Sequence, residues 1–372
     1  MHRNSGSMKV LQVLYSGLGG HGSVVTSLIQ ADKKNKWEHC LLFYGVEDLL
    51  PAYHDFCIEN RIPFSFVKKN KGFFSTGWSS IRRALKKNDP DVVILHSPTL
   101  IIPAWLYSRF RGKKVYVVEH TPHATKSISE KITSFISLTL ARKIVCLSSL
   151  YRQQLQKQFR LLPVLKKTVV IQNGIDLDKF HVAAKTSSAA MHVGMIGRFS
   201  TQKNQAMVID TALAGFSSGK LDKTIHFHFA GTGETLADLE KKVIEGKMAT
   251  NIHFHGLLNE QEIISLLQGL DVYVHASFAE TMCTSVMQAM ACGLPVLGSD
   301  IPGINDIVKA GDNALLFANN DTGMLLEQLT TLYKDVNKRK AMAVSARQHA
   351  TTFFSAEDTF NNYHSLLQNN LL

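Results

Sequence analysis

Thr281, Thr284, Ser285 and Gln288 are polar residues in an otherwise largely apolar run, and their spacing suits the binding of an anion. The stretch 277–306 follows a short apolar run at 271–275, reads as helix over 281–292 and is stopped by Gly293 and Pro295. A helix that begins on hydroxyl residues collects free backbone N–H groups and the positive end of its dipole, a natural seat for phosphate. Thr284 and Gln288, four residues apart, fall on one side of that helix, which is expected to face a cleft. Serine and threonine are equally ordinary N-caps, so this helix alone leaves capping and anion binding both open.

Cations are available nearby in the sequence. Arg198 follows Gly197 at the end of the apolar run 193–196, and Lys203 lies five residues further on. A guanidinium can grip two oxygens and an ammonium adds a point charge, which suits a diphosphate, whereas the ordinary reading is a pair of solvated surface cations. Gly231-Thr232-Gly233 and Gly256 close two further apolar runs, so Gly197, Gly231, Gly256 and Ser277 put small residues at four successive strand ends. Glycine there permits close backbone approach or simply a tight turn.

In the first half, Ser16-Gly17-Leu18-Gly19-Gly20-His21-Gly22-Ser23 follows an apolar run and is read as a loop for close approach to phosphate or sugar, not as an NAD site. His120, in Glu119-His120-Thr121-Pro122-His123, stands at another strand end, where an imidazole can bond a ligand hydroxyl, move a proton or serve only the core. Asn173-Gly174-Ile175-Asp176 is a turn signal.

These residues need a scaffold that brings strand ends to one edge. Apolar runs at 10–15, 39–44, 64–67, 92–95, 115–119, 144–147 and 169–171 alternate with helix-like stretches, and the pattern restarts at 193–196, 225–230, 252–255, 272–275, 296–298 and 314–317. Such alternation predicts an α/β chain with two Rossmann-like domains, parallel sheets and a central cleft, ligands lying beyond the carboxyl ends of the strands. The small and polar stretch 183–190 is the expected linker, giving domains of 1–185 and 190–355, with a last helix over 356–371. Met8 is a candidate start, leaving the first seven residues as a tail.

A chain of 372 residues has room for two cores. It shows no internal repeat, no apolar run of membrane-spanning length and no signal-peptide core, and a cytosolic location is expected, with a peripheral position on the inner membrane face also considered. Its five cysteines are scattered without Cys-x-x-Cys spacing, which indicates neither a disulfide framework nor a zinc site, so they are expected to be buried small hydrophobes. The net charge of +11 is lopsided: residues 1–185 hold 28 Lys/Arg against 12 Asp/Glu, and the remainder holds 13 against 18. A field of that sign favours polyanions or an anionic membrane, yet no nucleic-acid recognition motif accompanies it. Lys68 to Lys71, Phe73, Phe74, Trp78 and the cations Arg82 to Lys87 interleave charge with aromatics, which fits a lipid interface or equally a solvated face over core aromatics.

Taken in order, the glycine loop, His120, the Asn173 to Asp176 stretch, Gly197-Arg198 with Lys203, Gly231-Thr232-Gly233, Gly256 and the run from Glu280 through Ala291-Cys292-Gly293-Leu294-Pro295 resemble the retaining glycosyltransferases of family 4, which have GT-B architecture. The resemblance covers nearly the whole chain. It implies a second domain that binds a nucleotide sugar, UDP- or GDP-linked, and a first domain, rejoined by the last helix, that binds a glycan or lipid-linked acceptor. It also places Arg198 and Lys203 at the diphosphate, Thr284 and Ser285 where backbone amides hold it, Glu280 at the donor sugar, His120 near the reacting sugar, and Gly19 and Gly20 near the phosphates. Gly197, Gly231, Gly233, Gly256 and Gln288 complete the donor site in this reading, with no metal and no other cofactor.

One departure bears on the donor. Where the family pattern has a second glutamate for the ribose, this chain has Gln288, which still accepts a hydrogen bond but without charge, a difference of about 1 kcal/mol. Thr281-Met282-Cys283 also replaces the usual Gly-Phe-Pro, and Asp306 stands where a glutamate is common. A non-catalytic nucleotide-sugar-binding subunit and a nucleotide-sugar epimerase of the same architecture are the alternative expectations.

Overall fold

The computed structural model describes residues 7–17, 19–69, 77–122, 125–160, 162–184 and 190–369. Each of the apolar runs becomes a strand: β1 (Met8–Tyr15), β2 (Trp37–Gly45), β3 (Phe64–Lys68), β4 (Val92–Leu95), β5 (Lys114–Glu119), β6 (Lys143–Cys146), β7 (Thr168–Val170), β8 (Met191–Ile196), β9 (Ile225–Ala230), β10 (Ile252–Phe254), β11 (Val272–His275), β12 (Val296–Ser299) and β13 (Ala314–Phe317). The runs are rich in Val, Ile and Phe; β4, β11 and β12 are buried at every residue, as expected of inner parallel strands covered on both faces, while the edge strand β3 has no fully buried residue.

The chain divides into two compact units, Met1–Gly174 with Ala356–Leu372, and Ile175–Ser355. The division falls inside the Asn173-Gly174-Ile175-Asp176 stretch instead of at 183–190, of which residues 185–189 lie outside the described residues. The cause is packing. Ile175 N–H donates to the Phe354 carbonyl at 2.9 Å, Phe180 is fully buried, and Arg347 Nη1 donates to the carbonyls of Phe180 and Ala291 at 2.8 and 2.7 Å. Residues 175–180 therefore belong to the second unit's core.

In the first unit the parallel strand order is β3-β2-β1-β4-β5-β6-β7, so the winding direction reverses between β1 and β4. The last helix, Ala356–Gln368, packs on the helix Gly20–Ala31 and on Trp37, whose ring lies 4.8 Å from that of Phe360 and whose Nε1–H donates to His364 Nδ1 at 3.0 Å. Next to His120, Glu119 forms a buried ion pair with Lys126, and the same ammonium donates to Ser134 Oγ at 2.7 Å and Tyr151 Oη at 2.9 Å. These bonds offset the desolvation of the ammonium, while Glu119 Oε1 stays buried without a partner, and they tie Lys126 to β5 and to the two helices that carry Ser134 and Tyr151.

The second unit's order is β10-β9-β8-β11-β12-β13, reversing between β8 and β11. Alternation along β8, β9 and β10 sends Val193, Met195, Phe227, Phe229 and Ile252 into the core and five histidines to the opposite face. Those rings interlock across the strands: His192 Nδ1 to His228 Nε2 at 2.9 Å, His228 Nδ1 to His255 Nε2 at 3.0 Å, and His226 Nδ1 to His253 Nε2 at 3.1 Å. Burial and the neighbouring imidazoles push His228 down to about 3. With a folded value below the ordinary 6.5, its contribution is complete above pH 6.5 and is lost as pH falls toward 3, because the unfolded chain then binds the extra proton. His228→Phe is therefore expected to reduce the acid sensitivity of unfolding between pH 6.5 and 4.5, by about 1 kcal/mol once solvent screening of the half-exposed ring is allowed for, measured by denaturant melts. An unchanged pH slope would remove this role.

Candidate functional site

Adjacent strands at a reversal of winding send their following loops to opposite sides and leave a crevice at their carboxyl ends. In the second unit these are β8 and β11. They are tied together by Tyr273, whose hydroxyl donates to the Ile196 carbonyl and accepts from the Ile196 N–H, both at 3.2 Å. Gly197, Arg198 and Lys203 follow β8, and Glu280 with the helix Thr284–Ala291 follows β11, so one strand-end crevice receives all of them.

The glycine loops hold this edge by backbone contact. Gly197 N–H donates to the Ala230 carbonyl at 3.0 Å, Phe199 N–H to the Thr232 carbonyl at 3.0 Å, and Gly231 N–H to the Gly256 carbonyl at 2.7 Å. A Cβ on Gly231 (φ +134°) would lie 2.0 Å from the Gly197 carbonyl oxygen, and one on Gly233 (φ +157°) 2.0 Å from that of Phe199. Both positions demand glycine for close strand-end packing. Gly197 and Gly256 are open by comparison, with room for a Cβ.

Arg198 is exposed, and its carbonyl accepts from Gln205 Nε2 at 2.9 Å, which fixes its backbone. Lys203 lies in the turn before the helix Gln205–Ser217, where its N–H donates to the Ser200 carbonyl at 3.0 Å, and its ammonium pairs with the Glu280 carboxylate. The same Glu280 oxygen sits 2.9 Å from His275 Nε2, and that nitrogen is 3.2 Å from Cys283 Sγ. His275, Glu280 and Cys283 thus form one cluster with Lys203 at its edge.

The helix starts at Thr284 and not at 281, with Cys283 in the N-cap position. Thr281 stands in the preceding loop, buried, so it is not part of the helix start. Thr284 and Ser285 occupy the first turn and are half-buried, while Gln288, one turn on, is buried. Glycine recurs behind the carboxylate: a Cβ on Gly303 would lie 2.2 Å from the Glu280 carbonyl oxygen, so the short helix Pro302–Asn305 backs directly onto it.

Opposite charges in a buried cluster stabilise one another's ionised forms. For Glu280, burial raises the pKa but the Lys203 ammonium and His275 outweigh it and hold the carboxyl at about 2. Burial lowers His275, yet the Cys283 sulfur and Glu280 raise it to about 9. Burial raises the Cys283 thiol, and the facing imidazolium brings it below its ordinary value. The Glu280 contribution is present above about pH 4.5 and lost as pH falls through 2; that of His275 is present below 6.5 and lost as pH rises through 9. The cluster is fully formed between those windows.

The first unit holds a second group of polar residues at its own strand ends. His120 Nε2 lies 2.9 Å from His96 Nδ1, and His96 Nε2 lies 3.0 Å from Gln12 Oε1. With Gln12 Oε1 accepting from His96 Nε2–H, His96 Nδ1 accepts from His120 Nε2–H, and His120 Nδ1 is left as an acceptor. Burial pushes His120 to about 3 and His21 to about 4, so both are neutral at pH 7. His21, His96, His120, Tyr44, Thr99 and Glu130 are among the residues lining a cavity of about 370 Å³. Gly19 and Gly20 begin the helix Gly20–Ala31 beside His21; Leu18 and His123 lie outside the described residues.

The sequence reading did not single out His275, Cys283, His96 or Gly303. His275 ended an apolar strand and carried no spacing signal, and Cys283 was one of five cysteines without partners in sequence.

Two parallel, doubly wound units of this kind are the GT-B architecture. A family model described as "Glycosyltransferase Family 4" matches residues 18–179, and one described as "Glycosyl transferases group 1" matches residues 180–349. These matches adjoin and take in most of the chain, which belongs to the group 1 glycosyl transferases. It is similar to the UDP-Gal:alpha-D-GlcNAc-diphosphoundecaprenol alpha-1,3-galactosyltransferase of Escherichia coli, 26% identical over 69% of this chain and 70% of that protein. It is also similar to a GDP-mannose-dependent alpha-mannosyltransferase of Mycobacterium tuberculosis, 23% identical over 81% of this chain and 79% of that protein. Among solved structures, Anabaena Alr3699/HepE in complex with UDP and glucose superposes with a TM-score of 0.81 at 17% identity, covering 97% of this chain and 99% of that one. The chain is accordingly a glycosyltransferase with a nucleotide-sugar donor.

Proposed function

We propose that the chain transfers a sugar from a UDP- or GDP-sugar to a glycan or lipid-linked acceptor, with retention of anomeric configuration and without a metal, in cell-surface polysaccharide synthesis. The observation that carries this reading is the convergence of Arg198, Lys203, Glu280 and the Thr284 helix start on the ends of the adjacent strands β8 and β11. Cleaving the glycosyl phosphate bond builds negative charge on the diphosphate. Arg198, Lys203 and the first-turn N–H groups of Thr284 and Ser285 are the groups that stabilise it. Glu280 holds the donor sugar. The acceptor oxygen bonds to the anomeric carbon on the face the diphosphate leaves, and a departing phosphate oxygen takes the hydroxyl proton. Gly197, Gly231, Gly233 and Gly256 shape the donor loops, Gln288 bonds the ribose, Gly19 and Gly20 serve the phosphates, and His120 serves the reacting sugar.

Both nucleotides are retained because the relatives differ: one is named for UDP-Gal, another for GDP-mannose. A thermal-shift screen with UDP, GDP and their sugars, with and without EDTA, tests the reading. One nucleotide series should raise Tm irrespective of EDTA; no shift with any of them would overturn it.

Among the described residues no helix is long and apolar enough to cross a membrane. A peripheral contact on an anionic bilayer is favoured by the outer helices of the first unit. The helix Trp78–Asn88 exposes Arg82, Arg83, Lys86 and Lys87, and Phe110, at the end of the neighbouring helix Ile101–Arg109, is 80% exposed. Residues 70–76, part of the same basic and aromatic stretch, lie outside the described residues. Flotation with anionic vesicles is expected to carry the protein at low salt and release it at high salt, and Arg82→Glu with Lys86→Glu should abolish it. Equal flotation with neutral vesicles would exclude the charge contribution.

A further inference from the structure

His275, Glu280 and Cys283 offer an imidazole nitrogen, a carboxylate oxygen and a sulfur that all lie within 4.8 Å of one another. We propose that this cluster is a binding site for a soft divalent cation, of the zinc, cobalt or cadmium class, whose occupancy blocks the enzyme.

The geometry is near that of a three-ligand tetrahedral site. Zinc bonds of about 2.0–2.3 Å require ligand atoms roughly 3.3–3.6 Å apart. Here His275 Nε2 is 2.9 Å from Glu280 Oε1 and 3.2 Å from Cys283 Sγ, and the Glu280–Cys283 pair closes the triangle within 4.8 Å, so movements on the order of 1 Å bring the three ligands to zinc spacing. The ligands are held by packed structure: His275 ends β11, Cys283 caps the helix Thr284–Ala291, and Glu280 rests on Gly303. One sulfur and one imidazole favour zinc, cobalt or cadmium over magnesium and calcium, which prefer oxygen. Glu280 is the ligand nearest the surface, its side chain 12% exposed.

Lys203 opposes the ion. Its ammonium already neutralises the Glu280 oxygen, so a metal enters against that charge and displaces it, with loss of the proton shared by His275 and Cys283. This sets a device in which the resting cluster keeps Glu280 on Lys203, and the ion takes Glu280 away. Binding rests on geometry alone; its effect on turnover rests on the reading that Glu280 holds the donor sugar.

Cobalt(II) titration of the full chain tests the site, because a thiolate bound to cobalt gives a charge-transfer absorption. One equivalent is expected to bind with that band, zinc should displace it, millimolar magnesium should not, and Cys283→Ser should lose it. No band in the wild type, or an unchanged band in Cys283→Ser, overturns the proposal. Lys203→Met keeps the test decisive should Cys283→Ser not fold: removing the competing charge should tighten cobalt binding about tenfold, and unchanged or weaker binding overturns the site. Cobalt binding with turnover intact would uphold the site and remove Glu280 from the donor.

Discussion

Arg198→Ala is expected to lower kcat by about 10²–10³-fold while leaving the unfolding free energy within about 0.5 kcal/mol of the wild type. The reason for the separation is positional. Arg198 is exposed at the end of β8, and the bond that orders this loop comes from Gln205 to the Arg198 carbonyl, which survives truncation of the side chain. On the proposed role, the guanidinium's charge counts most when a diphosphate gains charge beside it, so its loss is expected to weigh on the transition state more than on the fold. Steady-state kinetics and denaturant melts on the same preparation check it. Equal loss of turnover and stability would make Arg198 a structural residue.

A contrasting case shows why residue type at a strand end is not enough to infer a role. Gly231 and Gly233 were singled out beside Arg198 as places for a ligand to approach or for a tight turn, and at each the carbonyl a Cβ would strike is by itself a sufficient reason for glycine. A strand end with two glycines looks the same in sequence whether the close neighbour is a phosphate or another loop. Gly256 sits at φ +65°, where the backbone itself favours glycine, so Gly197 is the one of the four that neither a close neighbour nor a positive φ explains.

The parallel sheets were legible because a covered strand needs a continuous apolar run, and runs of that kind do not depend on distant partners. The helix start at 281 was misread for a reason the sequence hides. Thr281, Met282 and Cys283 have no helix breaker among them, but the Cys283 sulfur is engaged by His275, eight residues earlier, and the chain bends at 281–282 and is extended at Cys283 before the helix begins. The unit boundary was misplaced similarly: Phe180 and Ile175 find their packing at Arg347 and Phe354, far along the chain. The histidine ladder was written plainly as Ile-His-Phe-His in both β9 and β10, and its period of two was the available signal.

Glu280→Gln should behave differently from Arg198→Ala, losing both turnover and stability. Its carboxylate is the common partner of Lys203 and His275, so the amide leaves an ammonium and an imidazolium facing one another without their counter-charge. A folded pKa of about 2 against an ordinary 4.5 corresponds to about 3 kcal/mol at neutral pH. Because the folded value is depressed, this stabilisation exists above pH 4.5 and disappears as pH falls through 2. The gap between wild type and Glu280→Gln, measured by denaturant melts, should therefore be about 3 kcal/mol at pH 7 and close to half of that by pH 3. kcat should fall at least 10²-fold, since the donor sugar loses its charged partner. A stability gap that does not change with pH would mean that Glu280 supports the loop by packing on Gly303 and not by its charge, and the ion-pair account of the cluster would fail with it.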